Sequence, residues 1–68
     1  MVVQVMVNGE MRNVSDELTV AELVGELGFA GRRVAVEINL EIVPRSSYQD
    51  RRLQGDDRVE IVQAIGGG

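Results

Sequence analysis

Val2-Val3-Gln4-Val5-Met6-Val7-Asn8-Gly9-Glu10-Met11-Arg12-Asn13-Val14 is a β-hairpin written in one run. Val3, Val5 and Val7 alternate with Val2, Gln4 and Met6, so one face of the first strand is firmly apolar. Asn8-Gly9 is the strongest short hairpin signal, because a type I′ turn needs positive φ at both central residues. The chain then returns along Glu10–Val14.

Working outward, Ser15–Leu18 reads as a linker. Thr19 and Glu22 form a capping box. Val20, Leu23, Val24 and Leu27 recur at helical spacing on one face, with Glu22 and Glu26 on the other. This predicts a helix over residues 19–27, stopped by Gly28 with Phe29 following as the apolar residue of a C-terminal cap. So short a helix is unstable alone and must pack on a sheet. Residues 29–33 form a loop. Val34, Val36 and Ile38 give a third strand, Asn39 turns the chain, and residues 40–43 give a short edge strand closed by Pro44. Residues 45–52 read as irregular, with a helical turn at 46–49 and Leu53 as the aliphatic anchor of that region. Gly55-Asp56 is a turn. Val59 and Ile61 then face inward on a last strand whose Glu60 and Val62 face out.

Two strands, a helix, two strands, a loop and a final strand make an α+β chain. The layout is a β-grasp: one helix on a mixed sheet of four or five strands, with the first and last strands parallel at its centre. The handedness of the crossover places the helix over one face and leaves the other open. Residues 1–65 are expected to form this domain. Residues 66–68, Gly66-Gly67-Gly68, are expected to form a flexible tail. Glycine lacks a Cβ and passes where no other residue can, and three extended residues reach ~10 Å. A tail presented to a partner and a frayed end fit this composition equally.

Composition narrows the function. The chain has 68 residues, a net charge of −4, and neither cysteine nor histidine. Disulfide staples and a Cys/His zinc site are therefore excluded. The acidic balance disfavours nucleic acid and favours partners with a basic surface. All seven basic residues are arginine, so the body offers no lysine for self-conjugation. No signal sequence and no apolar run of the ~20 residues that span a bilayer is present. The expectation is a soluble cytoplasmic protein without membrane contact. No phosphate-binding loop accompanies the glycines, and no acid/base pair stands out. The residues alone point to no catalytic residue, bound cofactor or metal in this chain.

A resemblance sharpens this. Val7-Asn8-Gly9, Thr19-Val20-x-Glu22-Leu23, Val34-Ala35-Val36-Glu37-Ile38-Asn39, Ile42-Val43-Pro44-Arg45, Gly55-Asp56-x-x-Val59-Glu60-Ile61-Val62 and Gly66-Gly67-Gly68 span nearly the whole chain. In this order they resemble the ThiS family, the ubiquitin-like sulfur carriers of thiamine biosynthesis. The resemblance implies that Gly68 is adenylated at its carboxylate and converted to a thiocarboxylate. It implies a ubiquitin-activating-type, ThiF-like adenylyltransferase that uses ATP and magnesium. It also implies a cysteine desulfurase as indirect sulfur source and a ThiG-like thiazole synthase as acceptor. Gly67 and Gly66 would present the tail. Met6, Val62 and Ala64 would form an apolar contact patch on the open sheet face, though scattered apolar residues are also ordinary surface. Asp56, Asp57 and Glu60 would either meet partner arginines or form a solvated turn. Arg51-Arg52 reads as solvated surface and Tyr48 as a cover for the core. Two alternatives stand beside the carrier: the molybdopterin synthase small subunit, which also ends in Gly-Gly, and a non-covalent β-grasp interaction module.

Overall fold

The computed structural model describes residues 1–63. The element order is β1 (Val2–Val7), β2 (Glu10–Ser15), α1 (Val20–Glu26), β3 (Val34–Ile38), β4 (Glu41–Val43), a 3-10 turn (Arg45–Ser47) and β5 (Arg58–Gln63). Among the described residues the strands form one five-stranded sheet of order β2-β1-β5-β3-β4. β1 and β5 lie parallel at its centre, and the other neighbours are antiparallel. This is the β-grasp arrangement expected from the element order.

The opening hairpin closes on Val7↔Glu10, with Asn8 at φ 50 and Gly9 at φ 84. Both positive angles match the right-handed twist of the flanking strands. The second hairpin repeats the device less comfortably. Ile38 pairs with Glu41, so Asn39 (φ 53) and Leu40 (φ 71) form the loop. Residue 40 was expected to begin the fourth strand. The two-residue connection instead takes Leu40 into the turn, where a branched side chain meets left-handed backbone strain.

α1 is capped as its sequence requires. The Thr19 hydroxyl accepts from the Glu22 N–H at 3.2 Å, and the Glu22 carboxylate accepts from the Thr19 N–H at 3.0 Å. The two remaining orphan donors of the first turn go to the loop after β4. The Val20 N–H donates to the Arg51 carbonyl and the Ala21 N–H to the Tyr48 carbonyl, both at 2.9 Å. At the other end, Gly28 (φ 85) lets its N–H reach the Gly25 carbonyl and the Phe29 N–H reach the Val24 carbonyl. This is a Schellman closure. The helix therefore has its first-turn donors and two of its last-turn carbonyls satisfied although it contains only seven residues.

Its apolar stripe meets the inner sheet face. Val20, Leu23 and Val24 join Val5, Val7, Val36, Ile38, Val43, Leu53, Val59 and Ile61 in one buried cluster. Leu27, Phe29 and Tyr48 lie partly buried against it. Leu53 is the anchor that pulls the irregular segment inward, and its N–H donates to the Leu18 carbonyl at 2.9 Å. The Tyr48 hydroxyl donates to the Val34 carbonyl at 3.5 Å, consistent with a cover over the core.

Candidate functional site

The residues expected to carry covalent chemistry or present the tail, Gly66, Gly67 and Gly68, lie outside the described residues. So do Ala64 and the domain boundary at residue 65. The structure does describe the strand that leads to them and the open face beside it.

β5 is held on both sides. β3 pairs with it from Ile38↔Val59 to Val34↔Gln63. β1 pairs only at Met6↔Arg58 and Val7↔Val59, because β1 turns away at Asn8. The Asn8 N–H still reaches the Val59 carbonyl at 2.9 Å. Its side chain continues where the backbone stops: Oδ1 accepts from the Ile61 N–H at 2.8 Å and Nδ2 donates to the Ile61 carbonyl at 3.2 Å. At the start of β5, Asn39 acts similarly. Its Oδ1 accepts from the Arg58 N–H at 3.0 Å, and its own N–H donates to the Arg58 carbonyl at 2.9 Å. Sequence reading took both asparagines for turn formers. Their φ preference was legible, but their side-chain partners lie 53 and 19 positions away.

The open face carries two separated apolar areas. Met6 is half-buried and pairs with the exposed Met11 of β2. Val62 is 60% exposed and pairs with Ala35 of β3. Met6 stands opposite Arg58, four residues before Val62, so the two areas are ~13 Å apart along the strand at ~3.3 Å per residue. Met6 and Val62 thus share the outer face but not one contiguous patch. Glu37 and Glu60 face each other between them, and Ile42 lies beside Glu37 on β4. Like charges directly opposite on a sheet destabilise it, and this pair interrupts the apolar surface between the two areas. Met11 and Ile42 were missed by sequence reading. Counting the register outward from the two-residue hairpins would have found them.

The acidic turn divides. Asp56 is exposed, but Asp57 is 5% exposed and internal. Its carboxylate accepts from the Gln54 N–H at 2.8 Å and Asn39 Nδ2 at 3.0 Å, and pairs with the Arg51 guanidinium at 3.5 Å. Asp57 is therefore a fold-holding group, where the sequence left partner arginines or a solvated turn open, and Arg51, read as solvated surface, is partly buried beside it. Arg52 is exposed as expected.

Among the described residues no group of three or more His, Cys, Asp or Glu is placed to hold a metal ion. No helix among them is long and apolar enough to cross a membrane. A shallow groove between α1 and the 3-10 turn is lined by Val24, Phe29, Tyr48, Arg32 and Arg45, with no carboxylate to work as an acid or base. What the arrangement offers is a well-anchored strand beside a patterned open face.

Known proteins share this build. A crystal structure of the thiamine biosynthesis protein ThiS from Geobacter metallireducens superposes with a TM-score of 0.81 at 32% identity, covering 97% of this chain and all of that one. A thiazole synthase of Paramagnetospirillum magneticum is 54% identical over 65 residues, which is 96% of this chain and 20% of that protein. A thiazole synthase of Magnetococcus marinus is 43% identical over the same length. The chain spans about a fifth of the length of these curated thiazole synthases. An uncharacterized ycf40 protein of Porphyra purpurea is 33% identical over 66 residues and 93% covered. The model of the ThiS family matches residues 5–68. With a sheet, helix and length in common with a solved ThiS, the chain belongs to the ThiS family.

Proposed function

We propose that this chain is a sulfur carrier for thiazole formation in thiamine biosynthesis, acting as a co-substrate of partner enzymes. The observation that carries the reading is the family match over residues 5–68, which includes the three final glycines. A carboxylate is a poor electrophile, so Gly68 must first be activated. A carboxylate oxygen attacks the α-phosphorus of ATP, with magnesium on the phosphates, and pyrophosphate leaves. A persulfide sulfur then attacks the acyl carbon and AMP leaves. Cleavage of the resulting acyl disulfide by a thiol frees the thiocarboxylate. The chain has no cysteine, so persulfide and thiol both come from partners, the sulfur ultimately from a cysteine desulfurase.

A ThiF-like adenylyltransferase would perform the first step. Thiazole synthase would accept the sulfur. Support for that acceptor comes from the curated thiazole synthases that contain a stretch like this chain within their own length. Gly67 supplies the slimness that admits Gly68 to a nucleotide site. The acidic net charge of −4 suits a basic docking surface.

The test is ATP–pyrophosphate exchange by the activating enzyme with this chain as acceptor. The full chain should support exchange. A chain lacking Gly67 and Gly68, and the variant Gly67→Val, should remain folded but fail. No exchange with the full chain would leave a non-covalent interaction module as the better account, and exchange that survives both changes would contradict Gly68 as the activated residue.

A further inference from the structure

β1 contributes only two backbone pairs to β5 before it turns away. Beyond Val59, the β1-facing N–H and carbonyl of Ile61 would have no backbone partner. The Asn8 carboxamide meets both, at 2.8 and 3.2 Å. A side-chain amide has the same donor and acceptor as a peptide unit, so Asn8 stands in for a missing rung of the ladder. Turn geometry does not require this. A type I′ turn asks only for positive φ, which glycine or aspartate also supplies. A two-bond contact across 53 positions of sequence is therefore a feature additional to the turn.

Ile61 is seven positions before Gly68, and only Val62 and Gln63 follow it among the described residues. We propose that Asn8 is a positioning residue: its carboxamide locks Ile61 from the β1 side, opposite β3, and so fixes the line along which β5 leaves the sheet toward the reacting carboxylate. This rests on the carrier reading for its consequence in the reaction. Oriented reactions are steep in geometry, and ångström misplacement can slow them ~100-fold. A chain whose exit direction wanders should still dock but should place Gly68 productively less often.

The experiment uses Asn8→Gly, which keeps the turn and removes the bracket, and Asn8→Asp, which keeps the turn and the acceptor but loses the donor. NMR gives the first readout. In Asn8→Gly the Ile61 amide should exchange at least about tenfold faster relative to Val36, and the Val62 and Gln63 amides should lose order. Kinetics with the activating enzyme give the second. The adenylation kcat should fall about tenfold with KM little changed, and Asn8→Asp should fall in between. Val24→Ala, a core variant destabilised at least as much, should keep the wild-type kcat. Unchanged Ile61 exchange and unchanged order at Gln63 would overturn the positioning role, whatever the chain's function. A loosened Ile61 with normal kcat would overturn its part in the reaction. Failure of the wild-type chain to be adenylated would instead sink the carrier reading, and the NMR arm would still decide whether Asn8 directs the strand.

Discussion

Asp57 looks like surface in sequence, one of two adjacent aspartates after a glycine, and it is buried. Its three partners come from Gln54, Asn39 and Arg51. Only a folded chain brings Asn39 to it, and this is why no local pattern marked it. Removing the carboxylate leaves a backbone donor and an amide unsatisfied. Asp57→Ala should therefore cost about 2–4 kcal/mol of unfolding free energy, as expected for a buried charged acceptor. Arg51, a third exposed and 3.5 Å away, should matter far less. Urea denaturation of both variants checks the order. Leu40 makes the opposite case. It stands at φ 71 and is 80% exposed, so it carries left-handed strain with little burial in return. Leu40→Gly should raise stability by about 0.5–1 kcal/mol, the left-handed penalty less the extra flexibility of glycine in the unfolded chain. A higher urea midpoint at unchanged slope is the expected result.

Elements were the most legible level, because their signals are local. Asn8-Gly9 lies between two alternating runs, and Thr19 with Glu22 opens a helical stripe. The observed helix, Val20–Glu26 with Thr19 and Leu27 as caps, is the one the spacing predicts. The fourth strand was read one residue too long, since a two-residue hairpin loop had to absorb Leu40. The outer face was read as one patch because alternation tells which face a residue occupies but not which neighbour it meets. That needs the register between strands distant in sequence. The helix stands or falls on its stripe. Leu23 is 1% exposed at the centre of the core, and Leu23→Ala should cost about 2–5 kcal/mol. Domains of this size hold about 3–5 kcal/mol from one core, so the variant should be largely unfolded by circular dichroism at room temperature.

At the scale of the molecule, two properties follow from different parts of the chain. Stability comes from a core of aliphatic residues supplied by all five strands but β2, by α1 and by Leu53. Function, in the carrier reading, comes from the glycines at residues 66–68. The glycines made that reading legible from sequence through a family resemblance, which the ThiS family match over residues 5–68 bears out. Physics alone reached only a small acidic domain suited to a partner with a basic surface. The division predicts that core and tail variants separate cleanly, one set losing fold and the other losing chemistry. The most direct test of the central claim is the intact mass of the chain after co-expression with its activating enzyme and a cysteine desulfurase. The account predicts a species heavier by the difference between one sulfur and one oxygen, assigned to Gly68 by fragmentation. A chain that keeps its unmodified mass under those conditions, or carries the added sulfur anywhere but Gly68, would contradict it.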